Sequence, residues 1–262
     1  MFKSLVKHLK TPQRPTRLCI LDFSDPATFP RIQTTSDSSL GGYSTAYFDP
    51  YRPATESPLV ARFHGLLNPT LPKGNPKVLQ SGWAMFKTKN RIKDPKAQFK
   101  PFYIFKSQAN FWWDWSPFQV LHLRVLNLTP NRKFMVNVQT DTMSRTDLYQ
   151  HRLFTRPGDN EAPVWENIFI DLSEFVLTNR GSVQIQYEAE FEKDRIKSVG
   201  LSLADGQHGP FDLLVDKIEV LSGYDYYQEM KQARNSNIPL LNVKDEETVP
   251  QLCESNENKN SD

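Results

Sequence analysis
Residues Asp114-Trp115-Ser116-Pro117-Phe118-Gln119-Val120-Leu121-His122-Leu123-Arg124-Val125-Leu126 set the structural class of this chain. Leu121, Leu123 and Val125 alternate with His122 and Arg124, a period of two that belongs to a strand with one buried face. Further on, Phe134, Val136 and Val138 alternate in the same way with Met135, Asn137 and Gln139. Thr129-Pro130-Asn131 between them has turn chemistry. The reading therefore expects these two strands, Gln119–Leu126 and Phe134–Val138, to form a hairpin.

Working outward, the same reading places strands at Gly42–Phe48, Leu59–His64, Trp83–Phe86, Phe102–Phe105, Tyr149–Phe154, Trp165–Asp171, Val183–Tyr187, Lys197–Leu203 and Phe211–Leu221. In Lys197–Leu203 the alternation is clean, with Val199, Leu201 and Leu203 on one side and Ser198, Gly200 and Ser202 on the other. Long helical periodicity is scarce, and 19 prolines punctuate the 262 residues. Many short strands separated by turns point to an all-β fold, an antiparallel jelly-roll β-sandwich. No Gly-rich linker divides residues 22–222, which are taken as one domain.

The ends differ from this middle. Residues 1–21 hold no Asp or Glu but carry Lys3, Lys7, Lys10, Arg14 and Arg17, and Phe2, Leu5, Val6 and Leu9 share one helical face. Pro12 and Pro15 stop such a helix. A basic, acid-free amphipathic start has the form of a mitochondrial presequence. Residues 223–243 are read as a short helix, Tyr224 to Arg234, with an extension. Residues 244–262 are too polar to offset their ordering entropy and are read as a disordered tail.

Bulk composition narrows the function. Aromatics make up 12% of the chain and 17 residues are Phe, enough for a substantial core. The net charge of +2, from 32 basic against 30 acidic residues, gives no field for wholesale nucleic-acid binding. Cys19 and Cys253 lie near opposite ends and offer neither a disulfide framework nor a metal quartet. The five histidines form no HExxH pair, and GxSxG and GxGxxG are missing. Glu188 and Glu190 would share a strand face, but a glycosidase needs two facing acids in a cleft. No catalytic, cofactor-binding or metal-ligating residue is therefore assigned, and the chain is read as a non-enzyme.

Several stretches together resemble the complex I intermediate-associated protein 30 family. They are Ser36-Asp37-Ser38-Ser39-Leu40-Gly41-Gly42-Tyr43-Ser44; Ala61-Arg62-Phe63-His64-Gly65 with Gly82-Trp83; Trp115 with Gln119 to Val125; Tyr149, Phe154, Trp165 and Ile168 to Phe175; and Ser198 to Leu203 running on to Gly209-Pro210-Phe211-Asp212-Leu213 and Asp216-Lys217-Ile218. Their order and spacing cover roughly 190 residues. The resemblance implies a galactose-binding-domain-like jelly roll and a mitochondrial matrix protein that helps assemble NADH:ubiquinone oxidoreductase, without a cofactor. Its partners would be subunits or assembly intermediates of that complex or a related mitochondrial one, with no DNA and with membrane contact only through those partners.

Within the signature, Asp37, Gly41, Gly42, Ser44, Gly65, Trp165, Gly209, Phe211 and Asp216 are read as structural. Gly41-Gly42 permits a turn, and Asp37 and Ser44 bond turn backbone. Asp216, if it faces inward, needs an ion-pair partner or a calcium ion. Trp112, Trp113 and Trp115 either fill the core or anchor a protein partner. In a ligand-binding module they would instead stack on sugar rings. Lys87, Lys89 and Arg91 form a basic stretch that is either a solvated loop or a grip for an acidic partner, RNA or a membrane surface.

Overall fold
The alternating segment around His122 forms an eight-residue strand, Val120–Asn127, whose Leu121, Leu123 and Val125 are fully buried. The computed structural model describes residues 15–75, 78, 80–90, 112–142, 144, 146–156, 163–185, 191–235 and 240–241. In chain order its strands are β1 (Arg17–Asp22), β2 (Ile32–Ser36), β3 (Thr45–Tyr51), β4 (Val60–Leu67), β5 (Ala84–Thr88), β6 (Val120–Asn127), β7 (Phe134–Thr140) and β8 (Asp147–Arg152). They continue with β9 (Glu166–Asp171), β10 (Val176–Asn179), β11 (Ser182–Val183), β12 (Ile196–Leu203), β13 (Gly209–Leu221) and β14 (Leu240–Leu241). Helix α1 (Gly223–Asn235) lies between β13 and β14, where the sequence places Tyr224 to Arg234.

These strands build two sheets, ordered β14-β9-β6-β13-β4-β3, with β1 also on β13, and β11-β10-β8-β7-β12-β5-β2. Apart from the two-residue β14–β9 pair, which is parallel, the pairings are antiparallel. The inner faces meet in one core cluster that includes Phe63, Phe86, Phe134 and Phe211. Phe63 sits 5.1 Å from Phe86 and 4.9 Å from Phe211, centroid to centroid. Burying each such ring is worth about 1.5–3 kcal/mol.

The expected hairpin does not form. β6 pairs with β13 and β9 in one sheet, and β7 pairs with β12 and β8 in the other. The connection between them crosses the sandwich, because each strand has its own apolar face to bury and facing sheets lie roughly 10 Å apart. Arg132 fixes the crossing. It is 8% exposed and donates to Asp205 Oδ1 at 3.0 Å, to the Gln207 carbonyl at 2.8 Å and to the Pro210 carbonyl at 3.0 Å.

Two boundaries also move. Arg17–Asp22 is a core strand, with Ile20 and Leu21 buried, so the segment 1–21 overlaps the sandwich. β3 starts at Thr45, not Gly42. The presequence-like residues before 15, the strand at Phe102–Phe105, the Glu188/Glu190 pair and the tail 244–262 lie outside the described residues.

Strand β13 contains a bulge at Asp216. Val215 faces Val125 while Lys217 already faces Arg124. The inward spacing therefore steps from Leu213 and Val215 to Ile218 and Val220. The Asp216 carbonyl accepts from Phe23 N at 3.0 Å, and Arg124 Nη1 donates to its carboxylate at 2.9 Å. An ion pair with Arg124 satisfies Asp216. Among the described residues, no three His, Cys, Asp or Glu side chains come together as a metal site.

Candidate functional site
β2 runs out at Ser36 into a 3-10 turn, Asp37–Leu40, closed by Gly41 at φ 92°. That left-handed conformation favours glycine. Gly42 N then donates to the Asp37 carbonyl at 2.9 Å, and the chain doubles back so that Ser44 meets the Asp37 side chain. The carboxylate, fully buried, accepts from Ser44 N at 2.8 Å, Ser44 Oγ at 2.8 Å, Ser81 Oγ at 2.9 Å and Gly82 N. Gly42 has no alternative here, because a Cβ would lie 2.5 Å from Asp37 Cγ. Burial pushes the Asp37 carboxyl up, but the hydrogen bonds from Gly82, Ser44 and Ser81 more than offset it and hold it below its ordinary value. A carboxylate so saturated by donors is a fastener and a poor general base. Ser44 Oγ also accepts from Asn68 N at 3.0 Å, so one knot holds the turn, the start of β3, the end of β4 and the approach to β5.

The pinned corner carries an apolar rim. Leu40, Tyr43, Tyr47, Leu66 and Leu71 are between 38% and 54% exposed. Leu66 faces Thr45 across β4 and β3, and Tyr47 faces His64 in the same pair. Asn75 Nδ2 donates to the Leu40 carbonyl at 3.3 Å, which draws the loop containing Leu71 against the turn. Farther along this outer face the charges are matched. Arg62 forks onto Asp212 at 2.6 and 3.1 Å and lies over the Tyr51 ring, 5.2 Å from its centroid. His64 Nε2 lies 3.0 Å from Asp49 Oδ2.

At the other end of the sheet, His122 and Glu219 form a buried pair, Nδ1 to Oε1 at 2.8 Å. His122 stacks on Phe169 at 4.5 Å, and its Nε2 faces Asn167 Oδ1 at 3.1 Å. Burial alone raises the Glu219 carboxyl, but His122 and Lys217 outweigh it and bring it to about 2. Helix α1 seals this end by packing Met230 and Tyr226 on Val120, Phe169 and Leu221.

The residues singled out in the sequence fall in different places. Trp113 and Trp115, 8% and 0% exposed, belong to the core, and Trp113 makes a β-bridge with Ile196. They are not surface anchors, because alternate positions of that segment point into the sandwich. Trp112 is half-buried. Lys87 sits half-buried on the outer face of β5, and Lys89 Nζ donates to the Pro30 carbonyl at 2.8 Å. Arg91 lies outside the described residues. Trp165 lies under the Arg124 guanidinium at 5.3 Å. Gly65 and Phe211 are register partners in β4 and β13, and a Cβ on Gly65 would lie 2.1 Å from the Thr45 carbonyl oxygen. Gly209 opens β13 beside Arg132. The apolar rim was missed. Its one legible signal was the alternation Thr45, Tyr47, Asp49, Tyr51, which leaves two rings on an outer face.

Residues 21–215 match the sequence model of the family described as complex I intermediate-associated protein 30. The chain belongs to the complex I intermediate-associated protein 30 family. A Neurospora crassa relative, named complex I intermediate-associated protein 30, mitochondrial, is 31% identical over 225 residues, covering 79% of this chain and 74% of the relative. A Mus musculus relative of the same name is 29% identical over 250 residues, 91% of this chain and 68% of that one. The Asp37 knot lies inside the matched span. Two solved structures share the sandwich. One is a family 11 carbohydrate-binding module from Clostridium thermocellum in complex with a mixed-linked tetrasaccharide. It has a TM-score of 0.51 at 10% identity and covers 79% of this chain and 95% of that one. The other is the same type of module from the cellulase Lic26A-Cel5E, with a TM-score of 0.50 at 11% identity and the same coverage. At that identity the likeness concerns the fold alone.

Proposed function
We propose that this chain is a non-enzymatic assembly factor for respiratory complex I, working in the mitochondrial matrix by binding subunits or assembly intermediates. The observation that carries the reading is the pinned corner. The most completely buried carboxylate of the signature is spent on internal hydrogen bonds, and what the knot holds outward is a rim of Leu40, Tyr43, Tyr47, Leu66 and Leu71. Large apolar and aromatic side chains presented on a rigid frame suit protein contact, where Tyr is enriched at hot spots. The names of the relatives supply the partner class. Mechanistically, the rim covers apolar surface on a partly built intermediate and is released when the next subunit covers it instead. The reaction needs no bond making and no cofactor.

The test is the loss of the gene in its own organism, followed by native gels of solubilised mitochondria. The reading expects assembled complex I to fall and subassemblies to accumulate. Normal complex I in the null strain would refute it.

A further inference from the structure
Where β13 begins, the molecule has an open cleft that neither the Asp37 corner nor the apolar rim uses. It lies between the connection that crosses the sandwich, Leu128 to Arg132, and the loop Gln207 to Pro210 that feeds β13. Its volume is about 360 Å³, inside the range of roughly 300–1,000 Å³ usual for ligand sites. Pro130 and Pro210 stiffen its two walls.

One group in this cleft is firmly placed and yet unfinished. The Arg132 side chain is only 6% exposed. Its Nε donates to the Pro210 carbonyl at 3.0 Å, and its Nη1 donates to Asp205 Oδ1 at 3.0 Å and to the Gln207 carbonyl at 2.8 Å. Three of the five guanidinium N–H groups are spent in this way, and the two on Nη2 are left over. A buried donor calls for a partner. Nη2 sits beside Gly209, where an added Cβ would stand 3.1 Å from it. Gly209 has φ 135°, a conformation that favours glycine. The glycine therefore makes the turn into β13 and also leaves the end of the guanidinium uncovered.

The lining is rich in donors and free of acid. Asp205, which neutralises Arg132, has a side chain that is 0% exposed and is not part of the wall. It accepts from Gln207 N at 3.0 Å as well. Among the described residues no Asp, Glu or Lys lines the cleft, while Asn131, Gln207 and His208 are exposed around Arg132 and bring amide and imidazole groups. A guanidinium already held by three acceptors loses little freedom on binding, and it takes an anionic oxygen by charge-assisted hydrogen bonds. One guanidinium suits a single negative charge better than the double charge of a phosphate.

We propose that this cleft is a carboxylate-binding site. Arg132 Nη2 donates to the carboxylate, Asn131 and His208 stand at the mouth, and Gly209 keeps the space open. The carboxylate belongs either to a small organic acid or to an acidic side chain of a partner, and the experiment separates these two sources.

Arg132 also holds the fold, so the variants are placed at exposed positions: Asn131→Asp and His208→Glu, each setting a carboxylate of its own at the mouth. Thermal melts confirm that both full-length variants fold. Backbone amide resonances of Asn131, His208 and Gly209 are followed by NMR at constant ionic strength. The titrants are succinate, a blocked tripeptide with a central glutamate, the same tripeptide with glutamine, and inorganic phosphate. The expected result is a saturable shift with a carboxylate, about tenfold weaker in each variant, and none with the glutamine peptide. Tighter binding of succinate assigns the site to a small acid, and tighter binding of the glutamate peptide assigns it to a protein side chain. No saturable shift with either carboxylate, an equal response to the glutamine peptide, tighter binding of phosphate, or an unchanged affinity in either folded variant would each overturn the proposal.

Discussion
Asp37 and Glu219 are two buried carboxylates kept ionised by donors, and both write themselves into the stability of the protein. Glu219 drops from an ordinary value of 4.5 to about 2 in the fold. A group lowered on folding contributes stability above its unfolded value, and that contribution is lost as pH falls through the folded one. Glu219 therefore contributes of order 3 kcal/mol near neutral pH, disappearing between pH 4.5 and about 2. Asp37, also lowered, acts in the same direction. Acid titration of the denaturation midpoint should show this limb in the wild type, and Glu219→Gln should flatten it. Asp37→Asn keeps the shape but sets an NH2 group against the donors of Ser44, Ser81 and Gly82. It should cost about 3 kcal/mol or more by urea unfolding.

At the scale of elements, the bulge in β13 and the crossing clamped by Arg132 do most to shape the sandwich. Asp205 is fully buried opposite Arg132, so Arg132→Met would leave its charge uncompensated. A loss of about 3–5 kcal/mol is expected, read as a drop in melting temperature. Helix α1 is held by a smaller cluster. Met230→Ala should cost about 2 kcal/mol and speed amide exchange within Gly223–Asn235 more than in β6 or β13. Strand identity was legible because period-two alternation is written into Leu121, Leu123 and Val125 and again into Val199, Leu201 and Leu203. Strand partnership was not. Thr129-Pro130-Asn131 makes a turn in a hairpin and in a sheet-crossing connection alike, and only Arg132 meeting Asp205, 73 residues away, distinguishes them. β1 was hidden because its positive flank, at Arg17, also fits a targeting segment. Arg17 in fact bonds Glu229 of α1 and Glu219 of β13.

For the molecule as a whole, the family and the sandwich could be read from the sequence, while the surfaces that act could not. A tryptophan cluster stands out in a sequence, yet Trp113 and Trp115 are core, since side-chain burial depends on which sheet a strand joins. The rim of Leu40, Tyr43, Tyr47, Leu66 and Leu71 is assembled from four separate stretches by one knot of hydrogen bonds around Asp37, and no local pattern announces it. The most direct test is quantitative mass spectrometry of complex I subunits retained by the tagged full chain in mitochondria, comparing wild type with the double variant Tyr47→Glu and Leu66→Glu. Both positions are exposed, so the variant should fold with an unchanged melting temperature and lose most of the retained subunits. Undiminished retention by the folded variant would contradict the account.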